Sequence, residues 1–172
     1  VSDLEHILGL DRVELINDFA AIAHGIDALG PNDVETLHSA KRDLDGPVVI
    51  IGAGTGLGEG LRIYVDGKPV VIASEGGHKD FAPRNDIEFN LARYLIKKYG
   101  RASYDRVLSG PGLVDIYDFL RDTGHAAESQ KARQAIARTN EVAPVITRLV
   151  KEIGDPLCKA TLDLFVSVYG AE

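Results

Sequence analysis

The 172-residue chain is 45% hydrophobic and 26% charged, a globular composition sufficient for one full core or for a large domain with part of another. With 26 Asp plus Glu against 19 Lys plus Arg the formal charge is −7, and no basic run interrupts that excess, so the surface repels phosphate backbones and nucleic acid is disfavoured as a partner. One cysteine, Cys158, admits neither an internal disulfide nor a multi-cysteine zinc site and suits a reducing, cytoplasmic setting, and no apolar run approaches the roughly 20 residues that cross a bilayer.

The N-terminus, Val1-Ser2-Asp3-Leu4-Glu5, lacks the pattern of a signal peptide, and the absence of methionine leads us to expect a piece of a longer product. Ser2 is a candidate cap for a short first helix ending near Gly9, after which residues 12–16 read as a strand with Val13 and Leu15 on one face. Asn17-Asp18 then opens a helix to about Leu29, with Phe19, Ile22, Ile26 and Leu29 on one stripe and Gly30-Pro31 as the stop.

Residues 47–51 form a short β-branched run that enters Gly52-Ala53-Gly54-Thr55-Gly56-Leu57-Gly58 directly. Alternation at Leu61, Ile63 and Val65 gives a second strand, Asp66-Gly67 a hairpin turn, and residues 69–73 a third strand, making an antiparallel meander. The remainder is helical, with stripes at Ile87, Leu91, Tyr94 and Leu95; at Leu113, Ile116, Tyr117 and Leu120; and at Val142, Val145, Ile146, Leu149, Val150 and Ile153. A last helix follows Pro156 with Leu157, Leu164, Phe165 and Val168 on one face. A strand and helix, then a meander, then helices, predict an α/β fold with a mixed sheet.

Four stretches carry candidate chemistry. In residues 52–58 glycines at alternate positions, Gly52, Gly54, Gly56 and Gly58, allow backbone N–H groups to approach an anion, and Thr55 adds a hydroxyl. The stretch fits neither a GxGxxG fingerprint nor a P-loop, which leaves phosphate binding against a flexible hairpin. Asn17-Asp18 stands at a strand–helix junction, where Asp18 is placed for general-base work or the pair simply caps the helix. Ser74-Glu75-Gly76-Gly77-His78-Lys79-Asp80-Phe81 puts Glu75 and His78 on a tight turn, where both can hold vicinal hydroxyls; the rivals are a structural turn and a metal site, the latter lacking a second His or Cys at ligand spacing. Tyr104-Asp105-Arg106-Val107-Leu108-Ser109-Gly110-Pro111-Gly112 places Asp105 ahead of a glycine-proline helix start. His24, His38 and Cys158 read as background.

In this order, LINDFAAIAHGI, GAGTGLG, EGGHKDFAP and RVLSGPGLVDIY resemble the bacterial ATP-dependent glucokinase family of the hexokinase and actin-like ATPase superfamily. The resemblance implies a two-domain ribonuclease-H-like fold, present here as an incomplete chain: residues 1–30 closing the smaller domain, residues 31–172 forming a truncated larger one. It implies phosphorylation of glucose at O6, the first step of glycolysis, with ATP and Mg²⁺ as cofactors, and it allows a homodimer. Asp18 becomes the catalytic base; Asn17, Asp18, Glu75, His78 and Asp105 the sugar contacts; and Gly52, Gly54, Thr55, Gly56 and Gly58 the phosphate turn. At position 105 the family usually carries glutamate, one methylene longer. A phosphate motif of the DxGGTN kind and the glycine-rich adenosine segment are both missing from these residues, so the stretch alone is expected to be inactive. The alternative is a catalytically incomplete sugar-binding or regulatory module. A related family with repressors among its members carries a zinc-binding cysteine cluster, which a single cysteine disfavours.

Overall fold

The computed structural model describes residues 2–41, 43 and 46–172. It divides into two compact units, one formed by Val1–Ile51 and Glu59–Ser74, the other by Gly52–Gly58 and Glu75–Glu172.

The first unit opens with α1 (Ser2–Leu8), which includes Ser2 in its first turn and stops at Gly9, whose φ of 64° only glycine adopts at little cost. Residues 12–16, expected as a strand, form none. A strand needs a ladder partner, and among the described residues none pairs with this stretch, so Leu15 and Ile16 stay exposed. Helix α2 (Asp18–Gly25) follows and tightens into a 3₁₀ turn over Ile26–Ala28. Its expected apolar stripe is largely open, with Ile22 and Leu29 exposed, Phe19 and Ile26 half-buried and Ala23 the buried position of a helix that lies against β3.

The meander is as read: β1 (Val48–Ala53), β2 (Leu57–Val65) and β3 (Lys68–Ser74) lie in the order β1-β2-β3. Strands β2 and β3 are antiparallel, from Val65 opposite Lys68 to Glu59 opposite Ser74. Asp66 (φ 50°) and Gly67 (φ 72°) both take the left-handed conformation that an Asp-Gly hairpin turn demands. Helix α2 packs on β3, and its first turn also lies against β2, where a Cβ at Gly60 would meet the Phe19 carbonyl at 3.5 Å, an ordinary van der Waals contact. Buried Arg62 on β2 reaches Asp27 with two hydrogen bonds of 2.8 and 3.1 Å, a forked pairing that fixes the 3₁₀ turn over the strand.

The second unit is helical around the glycine turn. It comprises α3 (Asp86–Tyr99), α4 (Tyr104–Val107), α5 (Gly110–Asp122), α6 (Gln130–Ile136), α7 (Val142–Ile153) and α8 (Pro156–Tyr169). The central helix is α5, which contacts α3, α4, α7 and α8 and buries Leu113, Ile116, Tyr117, Phe119 and Leu120. The stripes read from periodicity supply the other faces: Leu91 and Leu95; Val145, Ile146 and Leu149; Leu157, Leu164 and Val168 are all buried. Two elements escape periodicity. Helix α4 is a single turn, and α6 buries only Ala132, so neither shows an apolar stripe.

Side-chain caps begin most of these helices: Asn85 accepts from Glu88 N–H, Ser103 from Arg106 N–H, Ser109 from Gly112 N–H, Ser129 from Ala132 N–H and Asp155 from Cys158 N–H. Three caps or nearby carboxylates also tie elements together. Buried Glu88 takes Arg84 at 2.6 Å, and Arg84 continues to Ser167 on α8. Asp115 on α5 takes Lys98 at 2.6 Å and the Tyr99 hydroxyl at 3.2 Å, both from α3. Asp155 accepts from the Ser129 hydroxyl at 2.5 Å, joining the starts of α6 and α8.

Burial works against ionisation of Asp155, but hydrogen bonds from the Cys158 N–H and the Ser129 hydroxyl outweigh it and hold its carboxyl below the ordinary aspartate range. A group whose pKa is lower folded than unfolded contributes stability above its unfolded value, about 3.9, and loses it as pH falls through the folded value. Asp155→Ala is expected to cost about 1–3 kcal/mol at neutral pH, and Asp155→Asn to melt with a shallower loss of Tm on acidification than the parent, both read by circular dichroism. Phe119→Ala in the core is expected to cost about 3–5 kcal/mol in the same assay.

Candidate functional site

Asn17 and Asp18 begin α2 in the first unit, and the structure gives each a separate task. Asn17 is the cap: its side-chain oxygen accepts from Ala20 N–H at 3.1 Å, leaving its amide hydrogens for another acceptor. Asp18 is the first helical residue, exposed, with Oδ1 accepting from Phe19 N–H at 2.9 Å. Capping and general-base readings of the pair are therefore compatible, because different residues carry them.

The other candidate residues lie in the second unit, and most of them meet around Leu57. Residues 54–56 form the tip of the glycine-rich turn between β1 and β2. The Gly54 N–H donates to the Gly56 carbonyl at 2.8 Å, and the Gly54 carbonyl accepts from Gly110 N–H at 2.8 Å, at the start of α5. The next amide, Leu57 N–H, donates to Asp105 Oδ1 at 2.8 Å. Gly54 and Thr55 are exposed, and a Cβ on Gly54 would come no nearer any atom than 4.0 Å, from the Gly56 carbonyl. None of Gly52, Gly54, Gly56 and Gly58 is left-handed, so their conformational freedom is not the reason for them. Gly56 has another: a Cβ there would lie 2.5 Å from Asp105 Oδ1.

Glu75 precedes and His78 ends a 3₁₀ turn over Gly76–His78, closed by His78 N–H to the Glu75 carbonyl at 3.0 Å and Lys79 N–H to the Gly76 carbonyl at 2.9 Å. Buried Gly77 faces the Leu57 carbonyl so closely that a Cβ would overlap it. Leu57 is thus held on both sides of its peptide, its N–H by Asp105 and its carbonyl against Gly77. Residues 79–81 run beside 102–104, with Phe81 N–H on the Ala102 carbonyl at 3.0 Å, Tyr104 N–H on the Lys79 carbonyl at 3.2 Å and the Phe81 and Tyr104 rings edge to face. That pairing delivers Asp105, two residues past Ser103, to the Glu75–His78 turn.

Glu75 Oε2 stands 3.6 Å from His78 Nε2, and Asp105 Oδ2 stands 4.0 Å from His78 Nδ1. The imidazole is therefore bracketed by two carboxylates while remaining 63% exposed, an arrangement of donors and acceptors suited to adjacent hydroxyls. A cavity of about 210 Å³ opens here, lined by His78, Tyr99, Arg101, Ser103, Asp105 and Arg106. Sequence reading missed Arg101, which donates to the His78 carbonyl at 2.5 Å and to Asp80 Oδ1 at 2.7 Å and so pins the turn. Its signal is only a charged residue after Gly100; the pairing of 79–81 with 102–104 that brings it there is not visible in spacing.

The open tip at Gly54 and Thr55 has the form that a phosphate could approach along the backbone. Among the described residues no group of three or more His, Cys, Asp and Glu side chains could hold a metal ion. No helix among them is long and apolar enough to cross a membrane.

Comparison with known proteins agrees with the resemblance. The profile of the Glucokinase family matches residues 1–172. The glucokinase of Nostoc punctiforme is 44% identical over 98% of this chain and 53% of its own length, and that of Trichormus variabilis 42% identical over 96% and 52%. The chain thus spans about half the length of the curated relatives it matches. The crystal structure of a glucokinase from an Antarctic psychrotroph superposes with a TM-score of 0.76 at 27% identity, over 98% of this chain and 49% of that one. That of Balamuthia mandrillaris glucokinase, in complex with glucose, superposes at 0.65 and 22% identity, over 87% and 44%, and shows a common fold. The chain belongs to the glucokinase family.

Proposed function

We propose that the protein containing this chain is a glucokinase that transfers the terminal phosphoryl group of ATP to O6 of glucose, releasing ADP and glucose 6-phosphate. The observation that carries the reading is the meeting of the glycine-rich turn and the Glu75–His78–Asp105 cluster at one residue, Leu57, in a chain matched by the family over its whole length.

A sugar hydroxyl is a weak nucleophile, and a carboxylate within hydrogen-bond reach of O6 can take its proton as the bond to phosphorus forms. Asp18 has that role in our reading: the carboxylate is exposed, and the Phe19 N–H holds its Oδ1 at 2.9 Å while the other oxygen faces solvent-accessible space. The amide hydrogens of Asn17, the Glu75 carboxylate and the His78 ring would hold the remaining hydroxyls, and a wrong epimer would leave one of these groups unpaired. The phosphates of ATP would lie along residues 52–58, where Gly54 and Thr55 leave the backbone open. Magnesium, when bound with ATP, neutralises phosphate charge; no residue of this chain is assigned to it. Action in the cytoplasm belongs to the same reading. So does a division of the whole protein into domains near residue 30, although in this chain α2 packs on β3 and shares a compact unit with it.

Coupled ADP-release kinetics on the whole protein test this. Asp18→Ala is expected to lower kcat by about 10²- to 10⁴-fold with KM for glucose little changed. Near-normal turnover in that variant would remove Asp18 from the chemistry. His78→Ala is expected to raise KM for glucose on the order of tenfold or more, with a smaller change in KM for ATP. An unaltered glucose affinity by titration calorimetry would take His78 out of the sugar site.

A further inference from the structure

We propose that Asp105 is the positioning residue of the glycine-rich turn: by holding Leu57 N–H it sets the backbone on which the ATP phosphates bind, and its contribution to the reaction is felt through the nucleotide. This rests on the glucokinase reading above and changes the part that position 105 plays within it.

Four observations support the assignment. The hydrogen bond from Leu57 N–H to Asp105 Oδ1, 2.8 Å long, joins residues 48 positions apart. It is a charge-assisted bond on a carboxylate only 23% exposed, which is the stronger kind of hydrogen bond and is partly shielded from competing water. The turn is clamped from both ends by one short segment: Asp105 takes the amide after the tip, and Gly110 N–H takes the Gly54 carbonyl before it. Residues 54–56 are therefore strung between two anchors five residues apart in sequence, the first on α4 and the second at the start of α5. Finally, Gly56 and Asp105 fit each other, since a Cβ at Gly56 would stand 2.5 Å from Asp105 Oδ1.

The two carboxylate oxygens are committed differently: Oδ1 holds the Leu57 N–H at 2.8 Å, and Oδ2 lies 4.0 Å from the His78 ring, outside hydrogen-bond range. Asp105 thereby connects the two turns, gripping one and only facing the other.

Two measurements decide the matter. In the whole protein, Asp105→Ala is expected to raise KM for ATP on the order of tenfold while KM for glucose stays within about twofold, and Asp105→Asn, which keeps an oxygen acceptor for Leu57 N–H, to recover most of the loss. A rise confined to KM for glucose would overturn the proposal and place Asp105 on the sugar. The second measurement needs no activity. Gly56→Ala is expected to lower Tm, and adding Asp105→Ala is expected to restore part of it, because the truncated side chain no longer occupies the space of the new methyl. Strictly additive losses in the double variant would overturn the proposed contact. If the parent protein phosphorylates no glucose, the glucokinase reading fails by itself, and the melting comparison still decides whether Asp105 braces the turn.

Discussion

The contact on which the site depends is a single peptide, that of Leu57, held on one side by the Asp105 carboxylate and pressed on the other against Gly77. A glycine-rich turn is a poor scaffold when left alone, since it has no side chains to pack and every backbone torsion must be restrained from outside. Here the restraint is supplied by residues far away in sequence that converge from two directions. Each restraint removes freedom that the turn cannot remove for itself, and the two together fix the glycine-rich turn against the Glu75–His78 segment.

That restraint is only as firm as its support, and the helical unit provides the support through buried charge. Glu88, Asp115 and Asp155 are all buried and all paired: Asp115 with Lys98 of α3, Asp155 with Ser129 at the start of α6, and Glu88 with Arg84, which itself reaches Ser167 on α8. A buried carboxylate without partners would cost several kcal/mol, so these groups specify which helices sit together and in what register. The consequence reaches the site because α5, the most buried helix, begins at Gly110, whose amide holds the Gly54 carbonyl. The placement of the turn is thus tied to the packing of the helical core.

Much of the fold was legible because it follows local rules. Alternating residues gave the meander, the Asp66-Gly67 pair its hairpin, and helical stripes the faces of α3, α5, α7 and α8. Failures had one common cause, the dependence of an element on something distant. Residues 12–16 alternate like a strand, but a strand is a relation between two segments and among the described residues the second is lacking. Helix α6 is set by the Ser129–Asp155 link and not by its own pattern. At the site, residue types were readable and their partnerships were not. Gly56 carries the sequence signature of phosphate approach, yet the neighbour that excludes a side chain there is Asp105, 49 positions along the chain by numbering. Arg101 carries no signal in the sequence beyond its charge, and it is the pairing of 79–81 with 102–104 that places it on the His78 carbonyl.

Cys158 lies fully buried at the start of α8, where burial, and then the Asp155 carboxylate beside it, push its thiol up to about 12. At neutral pH almost none of it is thiolate, and the sulfur is out of reach of solutes, so alkylating reagents have no nucleophile to meet in the native state. With no other cysteine in the chain, the rate at which an alkylating reagent modifies it reports how often the α6–α8 junction opens. The chain therefore carries its own chemical reporter for opening of the helical unit, with no residue to be engineered.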